Sequence, residues 1–286
     1  MVRDHALVIP LFGTCPEGLA HRLESFLNAE LGVVLIQNDP GLDLPAWPEE
    51  LKMLKGCRHV HCLVNQNRGG VAGGFNRGVE WAIDAGAIWI TLLDQDSDLH
   101  AEDIPRLREP WRVYSDRRLI VGPVIWDGRR QRRHGRRRPE LMHGFWRTRL
   151  LISSGTTFRA IDWQQIGTMN EWLFVDFVDH AWSFQAQERG FLLLQHHGVR
   201  LLQSFGARHP NWLCRALGME LYSPMRHYYS LRNLRWLLRQ SSVPIDLRLK
   251  EFVKMLVKLW LWLLFEPRRG ANFASISKAL SASLQR

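Results

Sequence analysis

The spacing of apolar positions divides the chain into strand-length runs and amphipathic stretches that alternate. Ala6 to Phe12 is an unbroken apolar run that stops at Gly13, and Val33 to Gln37 is a second, stopping at the turn Asn38-Asp39-Pro40. Between them Leu19, Leu23, Phe26 and Leu27 recur at helical spacing behind Thr14, Pro16 and Glu17, which predicts a helix opened by a capping box. Pro45 to Lys55 predicts a short helix and Arg58 to Val64 a third strand. Ala72, Phe75, Val79, Ala82 and Ile83 predict a helix over 71–85 with Gly86 as its stop, and Ile88 to Leu93 is a fourth strand. Ile104 to Tyr114 then predicts a helix, Leu119 to Trp126 a strand, and Leu150 to Phe158 another strand with Ser153-Ser154-Gly155 in its middle. This alternation implies an α/β chain with a mostly parallel sheet flanked by helices. Ligands of such sheets sit beyond the carboxyl ends of the strands. The ends Phe12-Gly13, Gln37-Asn38-Asp39, Val64-Asn65 and Asp94-Asp96 are therefore expected to converge on one crevice.

The character changes near Leu217, where the remainder becomes helical. Leu247 to Phe265 carries Lys250, Lys254 and Lys258 on one stripe, with Phe252, Leu256, Leu259, Trp260, Leu263 and Leu264 elsewhere around the helix. Its uninterrupted apolar part, Leu259 to Phe265, is far shorter than the roughly 20 residues that span a bilayer. A basic, Trp-bearing helix of this kind lies in a headgroup layer, or packs on the domain or on a second subunit of a homo-oligomer; the pattern fits each.

Composition narrows the partners. A chain of 286 residues that is 46% apolar holds a full core, as one large domain or one domain with an appendage. Asp4 and His5 interrupt the start, so no signal peptide is expected. The four cysteines show no C-x-x-C spacing and read as reduced thiols of a cytoplasmic protein. The net charge of +10 points to an anionic partner: nucleic acid, a nucleotide, a phospholipid surface or a lipid-linked diphosphate. Much of that charge lies in Asp127 to Pro139, DGRRQRRHGRRRP, with seven arginines and no apolar residue, which is expected to be a mobile, solvated loop. Three readings compete for it: a loop without function, a nucleic-acid tail, or an electrostatic anchor for anionic lipid or a pyrophosphate-linked acceptor. The anchor is favoured, because the nucleic-acid reading leaves the chemistry described next without a task.

That chemistry is concentrated between Asn65 and Asp98, NQNRGGVAGGFNRGVEWAIDAGAIWITLLDQDSD. A glycine-rich helix entry lets backbone approach a ligand. The strand behind it ends in Asp94-Gln95-Asp96-Ser97, and alternation along an extended chain points Asp94 and Asp96 the same way. Two such carboxylates form a hard oxygen site suited to Mg²⁺ or Mn²⁺ carried with a diphosphate. Taken singly, an Asp-x-Asp is a common surface turn and glycines before a helix are turn punctuation. A second acidic cluster lies in Glu171 to Trp182, EWLFVDFVDHAW. A helix start there places Asp176 and Asp179 on one face, either as catalytic carboxylates whose pKa is raised by apolar packing or as acids favoured by the helix dipole.

The combination resembles glycosyltransferase family 2, the GT-A nucleotide-sugar transferases, and most closely its rhamnosyltransferase-like branch. The residues that carry the resemblance are Asn67, Gly70, Ala72, Asn76, Gly78 and Ala82, then Asp94, Gln95, Asp96 and Ser97, and further on Pro224-Met225-Arg226-His227-Tyr228-Tyr229 leading into Leu231-Arg232-Asn233. It implies a GT-A domain over 1–216, with a nucleotide-sugar half to about 100 and an acceptor half after it, and a helical region over 217–286. It implies a donor held by Phe12, Gln37, Asn38, Asp39, Asn67, Gly70, Asn76, Asp94, Gln95, Asp96, Ser154 and Gly155, and a cation on Asp94 and Asp96. Asp179 falls where the family keeps its general base, beside Asp176. Arg226, Tyr228, Tyr229, Arg232 and Asn233 are expected on the diphosphate or the acceptor. The implied activity is an inverting transfer of L-rhamnose from dTDP-rhamnose to a polysaccharide or glycolipid at the cytoplasmic membrane face. Departures stand at Gln37, Ala181, Gln185 and Gln203, the last in place of a metal-binding histidine; His196, His197 and His209 are near in sequence and are expected to be structural residues rather than ligands. These departures keep open a catalytically inactive partner subunit, as the charge keeps open a nucleic-acid-binding protein.

Overall fold

The computed structural model describes every residue except 1–2, 43–46, 116, 129–131, 134–139, 143, 204–205, 217–218 and 286. Most of the arginine-rich run therefore lies outside the described residues. The chain begins β1 (His5–Leu11), α1 (Leu19–Asn28), β2 (Gly32–Gln37), a 3-10 turn (Glu49–Leu54), β3 (Val60–Val64), α2 (Gly70–Asp84) and β4 (Trp89–Leu92). It continues with β5 (Asp98–Leu99), two 3-10 turns, α3 (Pro110–Val113), β6 (Leu119–Asp127), β7 (Arg132–Arg133), β8 (Glu140–Met142), β9 (Phe145–Arg147), β10 (Thr157–Arg159) and α4 (Ala160–Ile166). Then come a 3-10 turn at Glu171–Leu173, α5 (Val178–Glu188), β11 (Leu192–Gln203), β12 (Ala207–Arg208), α6 (Trp212–Ala216), β13 (Glu220–Leu221), α7 (Pro224–Leu237), α8 (Ile245–Phe265) and α9 (Arg269–Ser281).

The main sheet has the order β3-β2-β1-β4-β10-β6-β11-β9-β8. β1 to β4 run parallel, and β6 and β11 pair parallel beyond the antiparallel β10. The carboxyl ends of β4 and β11 consequently share one edge, which brings Gln203 beside the acid pair. Alternation along β1 explains its continuous apolar run. Ala6 and Val8 pack with Ala72, Phe75 and Val79 of α2 on one face, while Leu7 and Ile9 pack with Leu19, Leu23 and Phe26 of α1 on the other. α2 approaches closely because Gly78 lacks a Cβ, which would lie 2.5 Å from the side chains of Val8 and Ile36. Gly86, at φ 98°, ends that helix as expected.

Several local expectations are corrected. The capping box at Thr14 and Glu17 is not formed, because the left-handed Gly18 redirects the chain and α1 starts at Leu19 without a side-chain cap. Ile104 to Tyr114 is broken into 3-10 turns and the single turn of α3, since Pro105 and Pro110 offer no N–H to a helix. Part of the arginine run is strand: Arg132 and Arg133 pair with Asp127 and Trp126 of β6. Only the end of Leu150 to Phe158 is strand. Ser153 to Thr156 forms a turn around Gly155, at φ 80°, whose missing Cβ leaves room for the Pro123 ring.

The C-terminal helices share a third core of Leu231, Leu234, Leu237, Leu247, Met255, Trp262, Ile276 and Ala279. On α8 the buried stripe is Leu247, Glu251, Met255 and Trp262, with Lys258 half-buried beside it, while Lys250 and Lys254 are exposed. No helix among the described residues is long and apolar enough to cross a membrane.

Candidate active site

β4 ends at Leu92, and Asp94 to Ser97 is a turn closed by the Ser97 N–H on the Asp94 carbonyl at 3.1 Å, not an extended segment. The acids are therefore presented by a braced turn rather than by strand alternation. Ser154 Oγ accepts from the Asp94 N–H at 3.1 Å and donates to Ser97 Oγ at 2.7 Å. The Gln95 side chain pairs with both the N–H and the carbonyl of Phe12, each at 3.0 Å, so the turn is locked to the end of β1. Gln203 Nε2 donates to Asp94 Oδ2 at 2.8 Å. Burial, then the charge of Asp96, with a further contribution from Asp179, pushes the Asp94 carboxyl up to about 7 against the pull of Gln203 and Arg226.

The second acidic cluster does not start a helix at Asp176. Phe174, Asp176 and Phe177 all adopt positive φ (66°, 55° and 64°), and α5 begins only at Val178. Non-glycine residues in this region cost about 1 kcal/mol or more each and persist where surroundings enforce them. Here α7 enforces them. Asn233 Nδ2 donates to the carbonyls of Leu173, Val175 and Asp176 at 2.7, 2.6 and 2.9 Å. Arg232 donates to the carbonyls of Trp172 and Leu173 and to Asn233 Oδ1, and its guanidinium lies 3.8 Å from the centre of the Trp172 ring. From the other side the Val71 N–H donates to the Phe174 carbonyl at 2.9 Å, and Gly70 is needed because a Cβ there would strike that carbonyl.

This loop aims two carboxylates. Asp176 is bound by Arg226, with Nη2 and Nε at 3.0 and 3.2 Å from Oδ1. Asp179 accepts through Oδ1 from the backbone N–H and Nδ1 of His180 at 2.8 and 2.9 Å. Both of these bonds go to Oδ1, and no other side chain among the described residues bonds to Oδ2. Burial pushes the Asp179 carboxyl up, but the adjoining His180, by charge and by hydrogen bonds, outweighs it and holds the carboxyl below the ordinary range. The expected upward shift from apolar packing is thus reversed, and Asp179 raises His180 in return over the opposing effect of burial. His180 was not singled out from the sequence; its adjacency to Asp179 is the signal that could have marked it.

Asp94, Asp176, Asp179, His180, Gln203 and Arg226 line one cavity of about 370 Å³, joined by Glu251, Lys254 and Lys258 of α8. A larger cavity of about 550 Å³, at the amino ends of β6 and β11, is lined by Tyr114, Arg117, Arg147 and Phe191 and holds none of the predicted site residues. For a cation the donor set is sparse: among the described residues no group of three or more His, Cys, Asp or Glu is gathered for a metal. Burial and Asp96 disfavour the charge on Asp94, a penalty that a bound cation relieves, and Gln203 Oε1 is buried without a hydrogen-bond partner. These oxygens fit Mg²⁺ or Mn²⁺ that takes its other ligands from water and phosphate.

Many residues expected on the donor or acceptor also build the frame. Asn38 is buried, donating to the Gly70 carbonyl at 2.9 Å and accepting from Asn65 at 2.7 Å. Asn76, only 4% exposed, closes a pair of bonds with the Met169 backbone at 2.9 Å and also donates to Glu171. Asp39 accepts from the Gly13 N–H at 2.8 Å, joining the ends of β1 and β2. Gly70, Gln95, Ser154, Gly155, Arg232 and Asn233 are likewise spent on backbone or neighbouring side chains, as described above. Tyr229 stacks on Phe174 at 4.8 Å and edge-on to Tyr228, so neither ring faces the carboxylates' cavity. Phe12 is exposed, Gln37 is buried at the end of β2 and Asn67 sits half-buried in the loop before α2; none lines that cavity. Gln185 donates to the Ile166 carbonyl at 2.6 Å. His196, His197 and His209 bond to Glu109, the Gly144 carbonyl and the Asn211 N–H, away from the acid turn.

Comparison with known proteins agrees with this architecture. The chain is 28% identical over 211 residues, 69% of each partner, to the dTDP-rhamnosyl transferase RfbF of Shigella flexneri. In fold it resembles GalNAc-T7, solved with UDP, GalNAc and Mn²⁺, at a TM-score of 0.58 and 15% identity over 82% of this chain and 48% of that one, about half its length. It also resembles residues 1–349 of TarS from S. aureus, at a TM-score of 0.55 and 11% identity over 97% of this chain and 81% of that one. These neighbours and the sheet order make the fold GT-A. The profile of Glycosyl transferase family 2 matches residues 6–170, more than half of the chain, and the protein belongs to that family and is a glycosyltransferase.

Proposed function

We propose that the chain moves L-rhamnose from dTDP-rhamnose onto a hydroxyl of a polysaccharide or lipid-linked glycan, with inversion, using Asp179 as general base and Mg²⁺ or Mn²⁺ on the Asp94 and Asp96 side. The observation that carries the proposal is that Asp94 and Asp179, 85 positions apart in the sequence, line the same cavity. The cation, when bound, neutralises charge on the departing nucleoside diphosphate. The acceptor oxygen forms its bond to the anomeric carbon as the bond from that carbon to the diphosphate oxygen breaks, and the electron pair leaves with the nucleotide. The hydroxyl proton passes to Asp179, whose depressed pKa keeps it ionised at neutral pH and whose Oδ2 is left open by the bonds to His180. His180 fixes the carboxylate's orientation. Arg226 neutralises Asp176 and keeps that second acid from competing for the proton. The choice of dTDP-rhamnose rests on the likeness to the Shigella enzyme, whose name states that donor.

The test is a panel of nucleotide sugars with Mg²⁺ or Mn²⁺, scoring donor binding and transfer for the native chain, Asp96→Ala and Asp179→Asn. Asp96→Ala is expected to weaken metal-dependent donor binding, and Asp179→Asn to leave binding and stop transfer. Full transfer by both variants would remove the assignment.

A further inference from the structure

The larger cavity, of about 550 Å³, lies at the opposite edge of the sheet from the acid turn. β4, β6 and β11 run in one direction, so Leu119 and Leu192 begin strands whose far ends approach Asp94, and β11 reaches it through Gln203. β6 is nine residues long, and its eight steps of about 3.3 Å separate the two edges by about 26 Å.

The register of the sheet assembles this cavity. Leu192 pairs with Leu119 of β6 on one side, and Leu194 pairs with Arg147 of β9 on the other. Arg117, just ahead of Leu119, and Arg147 are thereby carried to opposite flanks of the start of β11. The floor between them is apolar: Phe191 and Leu193 are 3% and 1% exposed and belong to the core. Tyr114 lines the same cavity, its ring edge-on to Phe145 and its hydroxyl buried without a hydrogen-bond partner. Gln187 closes the side at the end of α5, where its Nε2 donates to the carbonyls of Arg149 and Ser183 at 2.9 and 3.0 Å.

Charge here is one-sided. Segments 112–118, 147–149 and 187–190 carry six arginines against two acids, Asp116 and Glu188. Arg149 is engaged with Asp246 at 2.7 Å, Arg118 with the Arg189 carbonyl at 3.0 Å, and Arg189 with the carbonyls of Gln165 and Ile166. The side chains of Arg117 and Arg147, which line the cavity, make no hydrogen bond or ion pair among the described residues. Guanidinium groups gathered without acids repel one another, and a phosphate supplies both the charge and the paired oxygens that suit their forks. A bare anion leaves the apolar floor uncovered, so an occupant that uses the whole cavity carries an apolar body as well.

We propose that this cavity is a second ligand site, taking a phosphate ester whose phosphate meets Arg117 and Arg147 and whose apolar body lies on Phe191 and Leu193. The site shares no lining residue with the cavity of Asp94 and Asp179.

The experiment uses the full chain with 1-naphthyl phosphate, inorganic phosphate and 1-naphthol as probes, titrated by calorimetry without a divalent cation. 1-Naphthyl phosphate is expected to bind more tightly than either half-probe. Arg117→Met/Arg147→Met is expected to weaken it about tenfold, about threefold for each solvent-facing ion pair, and Arg117→Lys/Arg147→Lys to restore part of that loss. Both positions are exposed, so the unliganded variants should unfold at the native temperature. Amide exchange with the probe bound should slow at 117–121 and 187–193 and stay unchanged at 94–97 and 174–179. Unchanged affinity in the methionine variant, protection that leaves 117–121 and 187–193 untouched, or inorganic phosphate binding as tightly as 1-naphthyl phosphate would each overturn the proposal. None of these measurements requires a sugar donor or turnover, so the proposed function stands or falls separately.

Discussion

Replacing Asn233 by alanine tests whether α7 shapes the catalytic loop. The side chain is wholly buried, and its amide holds three carbonyls at 2.6–2.9 Å while its Oδ1 accepts from Arg232 at 2.8 and 3.0 Å. An intramolecular hydrogen bond is worth about 1 kcal/mol net, and a buried group left unsatisfied costs about 1–3 kcal/mol. Two N–H groups serve the three carbonyls, so the lost amide amounts to roughly 2–4 kcal/mol. Against this stands the strain of Phe174, Asp176 and Phe177, about 1 kcal/mol or more for each, which the loop releases by relaxing. The strained loop gives way before the core does, and the stability loss is partly absorbed there. We expect the thermal midpoint to fall by only about 2–8 °C. Transfer should fall by about 100-fold, because a shift of about 1 Å in Asp179 suffices for that. Asn233→Asp keeps the shape but turns an acceptor toward three carbonyls, and it should be at least as damaging. The assays are calorimetry, single-turnover transfer and amide exchange over residues 173–177. Transfer within twofold of the native rate, together with unchanged protection of those amides, would refute the argument.

Two glycines in helices are expected to respond oppositely to the same substitution. Gly78→Ala puts a methyl 2.5 Å from Val8 and Ile36, and overpacking of about 1–3 kcal/mol outweighs a helix-propensity gain of about 1 kcal/mol, whereas Gly270→Ala meets open space and should stabilise; thermal unfolding of both checks the sign. Asp94, raised to about 7 from an ordinary 3.8, keeps in the folded state a proton that the unfolded chain releases. Without a cation, stability should therefore fall as pH rises from about 4 to about 7 and level off above, and Asp94→Asn should flatten that slope. Mg²⁺ affinity should rise toward pH 7 and then plateau, measured by titration at fixed ionic strength; parallel pH curves for the native chain and Asp94→Asn would count against it.

What the sequence discloses about this fold depends on how far the cause of each feature lies along the chain. β1, β2, β4 and α2 are legible because each is decided by its own periodicity and by a stop next to it, Gly13 after β1, Asn38-Asp39-Pro40 after β2, Asp94 after β4 and Gly86 after α2. Strands of two or three residues, such as β5, β7 and β13, are too short for alternation to register. The loop at 174–177 is illegible for a stronger reason. Left-handed phenylalanine and aspartate run against local preference, and the residues that impose them, Arg232 and Asn233, lie about 60 positions on. The burial of α8 is hidden likewise, since a helix with lysines on one stripe and apolar residues around the rest does not state that Glu251 lies inside while Leu249, Val253 and Trp260 stay exposed.

The motif residues make a subtler case. Asn38, Asn76, Ser154 and Gly155 stand where a sugar-nucleotide site requires short polar side chains or none, and the structure uses them to brace strand ends and turns. Both tasks demand the same residue types, because a turn that must hold two repelling carboxylates still needs hydrogen-bond partners at fixed distances, as a ligand does. Pattern alone therefore locates the site to within one layer of side chains. Burial separates the layers: Asn76 and Ser154 are closed off at 4% and 1% exposure, while Asp94, Asp179, Arg226 and the lysines of α8 border open space. Asp94, raised to about 7 by burial and then by Asp96, is the carboxyl there whose charge the frame disfavours.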